Sequence, residues 1–222
     1  MKIGLIFLLL SSTALPLYAG GRNFLEPVDG YCSSYDFSHE SMTGIRDVLL
    51  KGASDAPLAR MVRPGAYDPL AGDAVSLVEE PPNGQSPVPV FSVELRTTNV
   101  DILPPKQLEG IKVTVRSSVI DKETAMLIAE IFFVATSQTS YRESSGPVPD
   151  GSHDIFCSYR VGVGLRAGST WSPEPKSVLA ALASYGYLLH EYVLAPDDKK
   201  AAPLSKLNSD GKKLLKRLQK NA

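Results

Sequence analysis

The residues able to do chemistry in this chain are dispersed, and their spacing suits no reaction well. Its three histidines are His39, His153 and His190. A zinc-protease helix places a second histidine four residues after the first, with a glutamate beside it as base. His190-Glu191 begins that pattern, but Leu194 stands where the second ligand belongs. Gly162-Val163-Gly164-Leu165-Arg166-Ala167 has the letters of a dinucleotide fingerprint. Such glycines work where a strand turns into a helix, so that a pyrophosphate can rest on the helix N-terminus. Here they read as lying within a strand, where glycine marks a bulge or a close backbone approach. Ser209-Asp210-Gly211-Lys212 has the Ser-x-x-Lys spacing of an acylating serine, but in a charged stretch that offers no dry site. Asp150, Asp154 and Glu174 flank one late strand. They suit either a carboxylate pair lining a cleft or ordinary turn and cap acids. The sequence holds no Gly-x-Ser-x-Gly elbow, no phosphate-cradling loop and no Cys-x-x-Cys. It therefore assigns no catalytic residue, no metal ligand and no cofactor.

The two cysteines, Cys32 and Cys157, sit in aromatic surroundings, GYCSSYDF and DIFCSYR. In an oxidising compartment an even count suggests one disulfide closing a very long loop. The competing reading is a reactive thiol, but neither cysteine has a neighbouring basic residue or histidine to activate it.

The elements that must position these residues follow from hydrophobic period. Leu58–Arg63 alternates and meets Pro64-Gly65, which predicts a strand and a turn. Ala74–Glu79, Val88–Val100 and Ile111–Ile120 read as further strands. In the last of these Ile111, Val113 and Val115 share a face, the pattern of a strand with one wet side. A short helix is expected over Ser41–Lys51. Asp121 is a suitable N-cap for a largely buried helix through Thr139. His153–Leu165 reads as one long strand. Ser172-Pro173-Glu174 then reads as a helix start, followed by a stripe of Val178, Leu182, Tyr185, Leu189 and Tyr192. The expected fold is α+β, a mostly antiparallel sheet with two main helices packed on one face.

The first nineteen residues have the layout of a secretory signal: Lys2, an apolar run from Ile3 to Leu10, and small Ala19 before a cut. Ser11, Ser12, Thr13 and Pro16 interrupt that run, which argues against a spanning anchor. The expected organisation is a signal peptide over 1–19, one domain over 20–195, and a basic, partly helical tail over 196–222. From Gly20 to Leu194 there are 14 basic and 21 acidic residues; from Ala195 to Ala222 there are 8 basic and 3 acidic. The tail suits either a solvated appendage or a contact for an acidic partner or an anionic envelope surface. A total net charge of −1 gives no overall pull toward nucleic acid.

Over Ile120–Tyr192, several features stand together. They are Ile120-Asp121-Lys122-Glu123-Thr124-Ala125, Tyr141-Arg142, the Asp150-Gly151 turn, an aromatic-bearing strand, and Gly168-Ser169-Thr170-Trp171-Ser172-Pro173. This pattern resembles secreted, periplasmic proteins of Gram-negative bacteria that carry no established activity. The resemblance implies an envelope location and brings no functional residue with it. The expected function is non-enzymatic binding in the periplasm, with an immunity-type inhibitor of a toxic effector as its sharpest form. Tyr141, Arg142, Arg166 and Trp171 are the expected contacts for a protein partner, since interfaces favour such residues. The alternative is a hydrolase acting on an envelope component. Neither nucleic acid nor integral membrane insertion is expected.

Overall fold

Alternating apolar side chains need two faces to fill, and the sheet fills both. The computed structural model describes residues 24–28, 32, 45–64, 72–82, 86–98, 110–140 and 153–220. The signal-like residues 1–19 lie outside them. Seven strands form one antiparallel sheet: β1 (Glu26–Pro27), β2 (Ala59–Arg63), β3 (Asp73–Glu80), β4 (Val90–Thr98), β5 (Val113–Ile120), β6 (His153–Arg160) and β7 (Gly164–Trp171). Their order across the sheet is β1-β7-β6-β2-β3-β4-β5. Three helices complete the fold: α1 (Lys122–Ser137), α2 (Val178–Leu194) and α3 (Ala201–Lys220). The α+β class and the antiparallel sheet agree with the sequence reading.

The main core lies between the helices and the sheet face that carries Met61, Val75, Leu77, Val93, Leu95 and Phe156. Helix α1 starts where Asp121 accepts from the Thr124 amide at 2.9 Å, the expected cap. Phe132 meets Phe156 edge-on at 5.8 Å, and Thr136 Oγ1 lies 2.7 Å from Ser158 Oγ. These contacts fix α1 over β6.

The opposite sheet face carries a second, smaller core of Cys32, Leu49, Leu50, Val62, Ala74, Ile155 and Cys157. Cys32 and Cys157 form a disulfide. Arg60, almost wholly buried, donates to Ser76 Oγ at 2.8 Å, to the Cys32 carbonyl at 2.6 Å and to the Ser54 carbonyl at 2.7 Å. Arg96 donates to the Lys51 carbonyl at 2.7 Å. Two arginines and one disulfide thus hold the segments before β2 against the sheet. Burial pushes the Arg60 pKa down to about 10, so it remains a cation at neutral pH.

Four local expectations change. His153–Leu165 is a hairpin, not one strand: β6 and β7 meet at a turn where the Val163 amide bonds the Arg160 carbonyl at 3.0 Å. Gly162 at φ 81° and Gly164 at φ 90° supply left-handed backbone that only glycine adopts cheaply. Helix α2 begins at Val178, capped by Ser177, rather than at Ser172. Ser172 and Lys176 both have positive φ, which no continuing helix tolerates. On β5 it is Ile120 that enters the main core, while Val115 and Val119 are exposed on the other face of this edge strand. Within the expected helix over Ser41–Lys51, a π-helical turn spans Ile45–Leu49.

The basic C-terminal stretch is no loose appendage. Helix α3 buries Leu207, Gly211, Leu214 and Leu218, a repeat of three and four residues. It packs against both α1 and α2. Pro203 sits in its first turn, where its missing N–H costs nothing. The high charge of the stretch masked this apolar stripe. Among the described residues, no helix is long and apolar enough to cross a membrane.

Candidate functional site

The β6–β7 hairpin projects two apolar side chains where water must cover them. Val161 is 86% exposed and Val163 is 43% exposed. The pairing of Ser158 with Arg166 and of Arg160 with Gly164 puts both arginines on the helix-facing side. There α1 supplies a platform. Arg160 Cζ lies 3.6 Å and Arg166 Cζ 5.8 Å from the centroid of the Phe133 ring. Arg160 also pairs with Glu130 at 2.5 Å. The guanidinium groups are thereby held rather than waving, which lowers the entropy lost when they meet a partner. The result is an apolar tip flanked by two positioned cations.

The expected partner contacts are not all drawn together. Arg166 belongs to this patch. Trp171 lies at the other end of β7 and, with odd numbering against even, on the opposite sheet face. Its ring is 5.0 Å from that of His153, its cross-strand partner. Burial lowers the His153 pKa, against an opposing pull from Glu26. Tyr141 and Arg142 lie outside the described residues. Arg160, Phe133, Val161 and Val163 were not singled out in the sequence, because reading one long strand hid the turn that brings them together.

A second cluster lies under α2 at the far end of β2. Arg63 Nη2 is 3.9 Å from Asp73 Oδ2, and Arg63 Nε is 3.8 Å from Asp154 Oδ1. The Arg63 guanidinium stacks on Tyr187, 4.1 Å from the ring centroid. Arg63, Asp73 and Asp154 are all buried. Burial pushes the Asp154 pKa up to about 6; Arg63 and a hydrogen bond from Tyr187 pull it down, while Asp73 pushes it up. His190 adjoins the cluster, and its pKa is lowered chiefly by burial. Three of the residues face one another because β2 pairs with β3 and β6 on either side. One arginine between two carboxylates leaves one negative charge in excess when both are ionised, which is why Asp73 pushes the Asp154 pKa up; the three charges link β2, β3 and β6 under α2. Among the described residues, no set of His, Cys, Asp and Glu side chains is grouped to hold a metal ion.

Compared with protein-family models, with curated proteins and with solved structures, the chain matches none.

Proposed function

We propose that the protein is a periplasmic binding protein, acting without catalysis, whose contact element is the β6–β7 hairpin. The observation that carries this reading is the exposed Val161–Val163 tip flanked by Arg160 and Arg166 on Phe133. Arginine is enriched at interaction hot spots, and an exposed apolar tip beside it gains free energy when a partner removes it from water. A partner of matching chemistry offers an apolar pocket rimmed by carboxylates, as a secreted toxic effector with an acidic active-site cleft would. An immunity-type inhibitor is the sharpest form of this proposal. The exported location rests on the signal-like N-terminus, on the resemblance over Ile120–Tyr192, and on the Cys32–Cys157 bond, which suits an oxidising compartment.

The test is capture of an envelope protein by the wild-type chain and by a Val161→Asp, Arg166→Ala double variant. Both positions are exposed, so the variant should melt within about 2 °C of wild type, as surface changes do. Loss of about 100-fold in affinity for the captured partner is expected, the sum of two hot-spot truncations. Undiminished capture would remove the hairpin from the interface.

Hydrolysis of an envelope component is a second reading. The observation in its favour is the Asp154 carboxyl, its pKa pushed up to about 6, in a cluster whose Arg63 and Asp73 also act on His190. Against it stands the burial of that carboxyl, at 1% exposure, behind Arg63.

A further inference from the structure

We infer that the outer face of α3 is an electrostatic docking surface for an anionic lipid bilayer. The inference is independent of the hairpin and of what the hairpin binds. Helix α3 carries six basic residues and one acidic residue, Asp210. Its apolar stripe, Leu207–Leu218, is already spent on packing against the body. It therefore cannot roll its greasy side into a membrane, as a free amphipathic helix does. What it presents outward is charge. Lys213, Lys216 and Lys220 recur at three and four residues on the side opposite Leu207, Leu214 and Leu218, and all three are exposed. Lys213 pairs with Asp210 at 3.2 Å and Lys212 with Glu123 at 4.0 Å. Exposed pairs of this kind hold their cations weakly and leave them free to exchange partners.

Three features select a lipid surface over a protein or a nucleic acid. The outward residues include no aromatic anchor, and lysine is depleted at protein interfaces. The single arginine, Arg217, commits its Nη2 to the Lys176 carbonyl at 2.8 Å, so the face is dominated by lysine point charges rather than by guanidinium forks suited to a base or phosphate. The 20-residue helix is about 30 Å long, a row of point charges suited to a flat, delocalised field. Charge complementarity also orients the molecule. Residues 20–194 have 21 acidic against 14 basic side chains, so attraction to an anionic surface originates in α3.

The experiment is co-sedimentation of the full chain with vesicles of phosphatidylcholine mixed with phosphatidylglycerol, and with phosphatidylcholine alone. The neutral vesicles report whatever the apolar N-terminal residues contribute. Lys213→Gln/Lys216→Gln/Lys220→Gln should reduce partitioning onto the anionic vesicles by about 100-fold, and the corresponding triple arginine variant should restore it. Glutamine keeps helix propensity, and circular dichroism checks that both variants fold. Equal partitioning on neutral and anionic vesicles would overturn the proposal. So would unchanged binding by the glutamine variant. Duplex DNA that binds α3 and is not displaced by anionic vesicles would overturn it too, by reassigning the face to nucleic acid.

Discussion

At the scale of single residues, the informative group is Asp154. Its carboxyl is buried, and its pKa of about 6 lies above the ordinary 3.8. A raised folded-state pKa means that the native protein holds the proton more tightly than the unfolded chain. The resulting stability is complete below pH 4 and is lost as pH rises through 6, an amount of about 3 kcal/mol. His153 and His190 act in the opposite sense. Their folded pKa values are depressed, so their contribution is present above 6.5 and is lost as the pH falls. The two trends oppose each other in the wild type. Asp154→Asn removes the first trend, so relative to wild type it should gain about 3 kcal/mol between pH 4 and pH 7. Thermal melts across that range measure it; parallel pH profiles would mean that Asp154 titrates normally. The residue was visible in the sequence as one of three acids flanking a late strand. Its burial was not, because that depends on Arg63 and Tyr187, which reach it from 91 and 33 positions away.

At the scale of elements, α3 shows how one glycine sets a helix contact. A Cβ at Gly211 would lie 2.7 Å from Tyr185 Oη and 3.1 Å from Leu127 Cδ2. Tyr185 is buried and donates its hydroxyl to the Leu207 carbonyl at 3.2 Å, so it has little room to yield. Alanine would gain about 1 kcal/mol of helix propensity at this position. The overpacking penalty, about 1–3 kcal/mol, acts against a ring that cannot move and should win. Gly211→Ala is therefore expected to lower the urea midpoint and Gly211→Leu to lower it further, while a rise for the alanine variant would mean that α3 sits more loosely. The caps show what local sequence encodes. Asp121 was readable because its carboxylate meets an amide three residues away. The start of α2 was misread because Ser172-Pro173 has the right letters, whereas the Ser177 hydroxyl is what accepts from Ala180. Left-handed backbone at Lys176 decides between them, and no residue type there announces it.

At the scale of the whole molecule, the sheet separates two cores of unequal size. The helix side is continuous, whereas the smaller core depends on segments distant in sequence. The Cys32–Cys157 bond spans 125 residues and closes over that smaller core. In the chain-entropy account a loop of this length contributes about 5 kcal/mol. Reduction, or a double serine variant, should lower the melting temperature by about 10 °C or more. Hydrogen exchange should locate the loosening near Cys32 and Leu49–Leu50 first, because Arg60 bonds the Cys32 carbonyl and would lose that anchor. An unchanged melt under reductant would show that Arg60 and Arg96 hold the segment unaided.

The sequence by itself determined the periodic parts of this protein. Alternation predicted β2 to β5 within two residues or so, the Asp121 cap predicted α1, and together they implied an antiparallel α+β layer fold. An even cysteine count in aromatic surroundings pointed to the bond that the fold contains. Tertiary structure alone decided where the distinctive surfaces lie. Folding back at Gly162 brings Arg160 and Arg166 over Phe133 and leaves Val161 at the tip. Packing of α3 on α1 and α2 turns a charged tail into a fixed rod with its lysines outward. Period and caps are written within a few residues of where they act, whereas these surfaces require side chains of separate elements to meet, Phe133 with Arg160 and Tyr185 with Leu207.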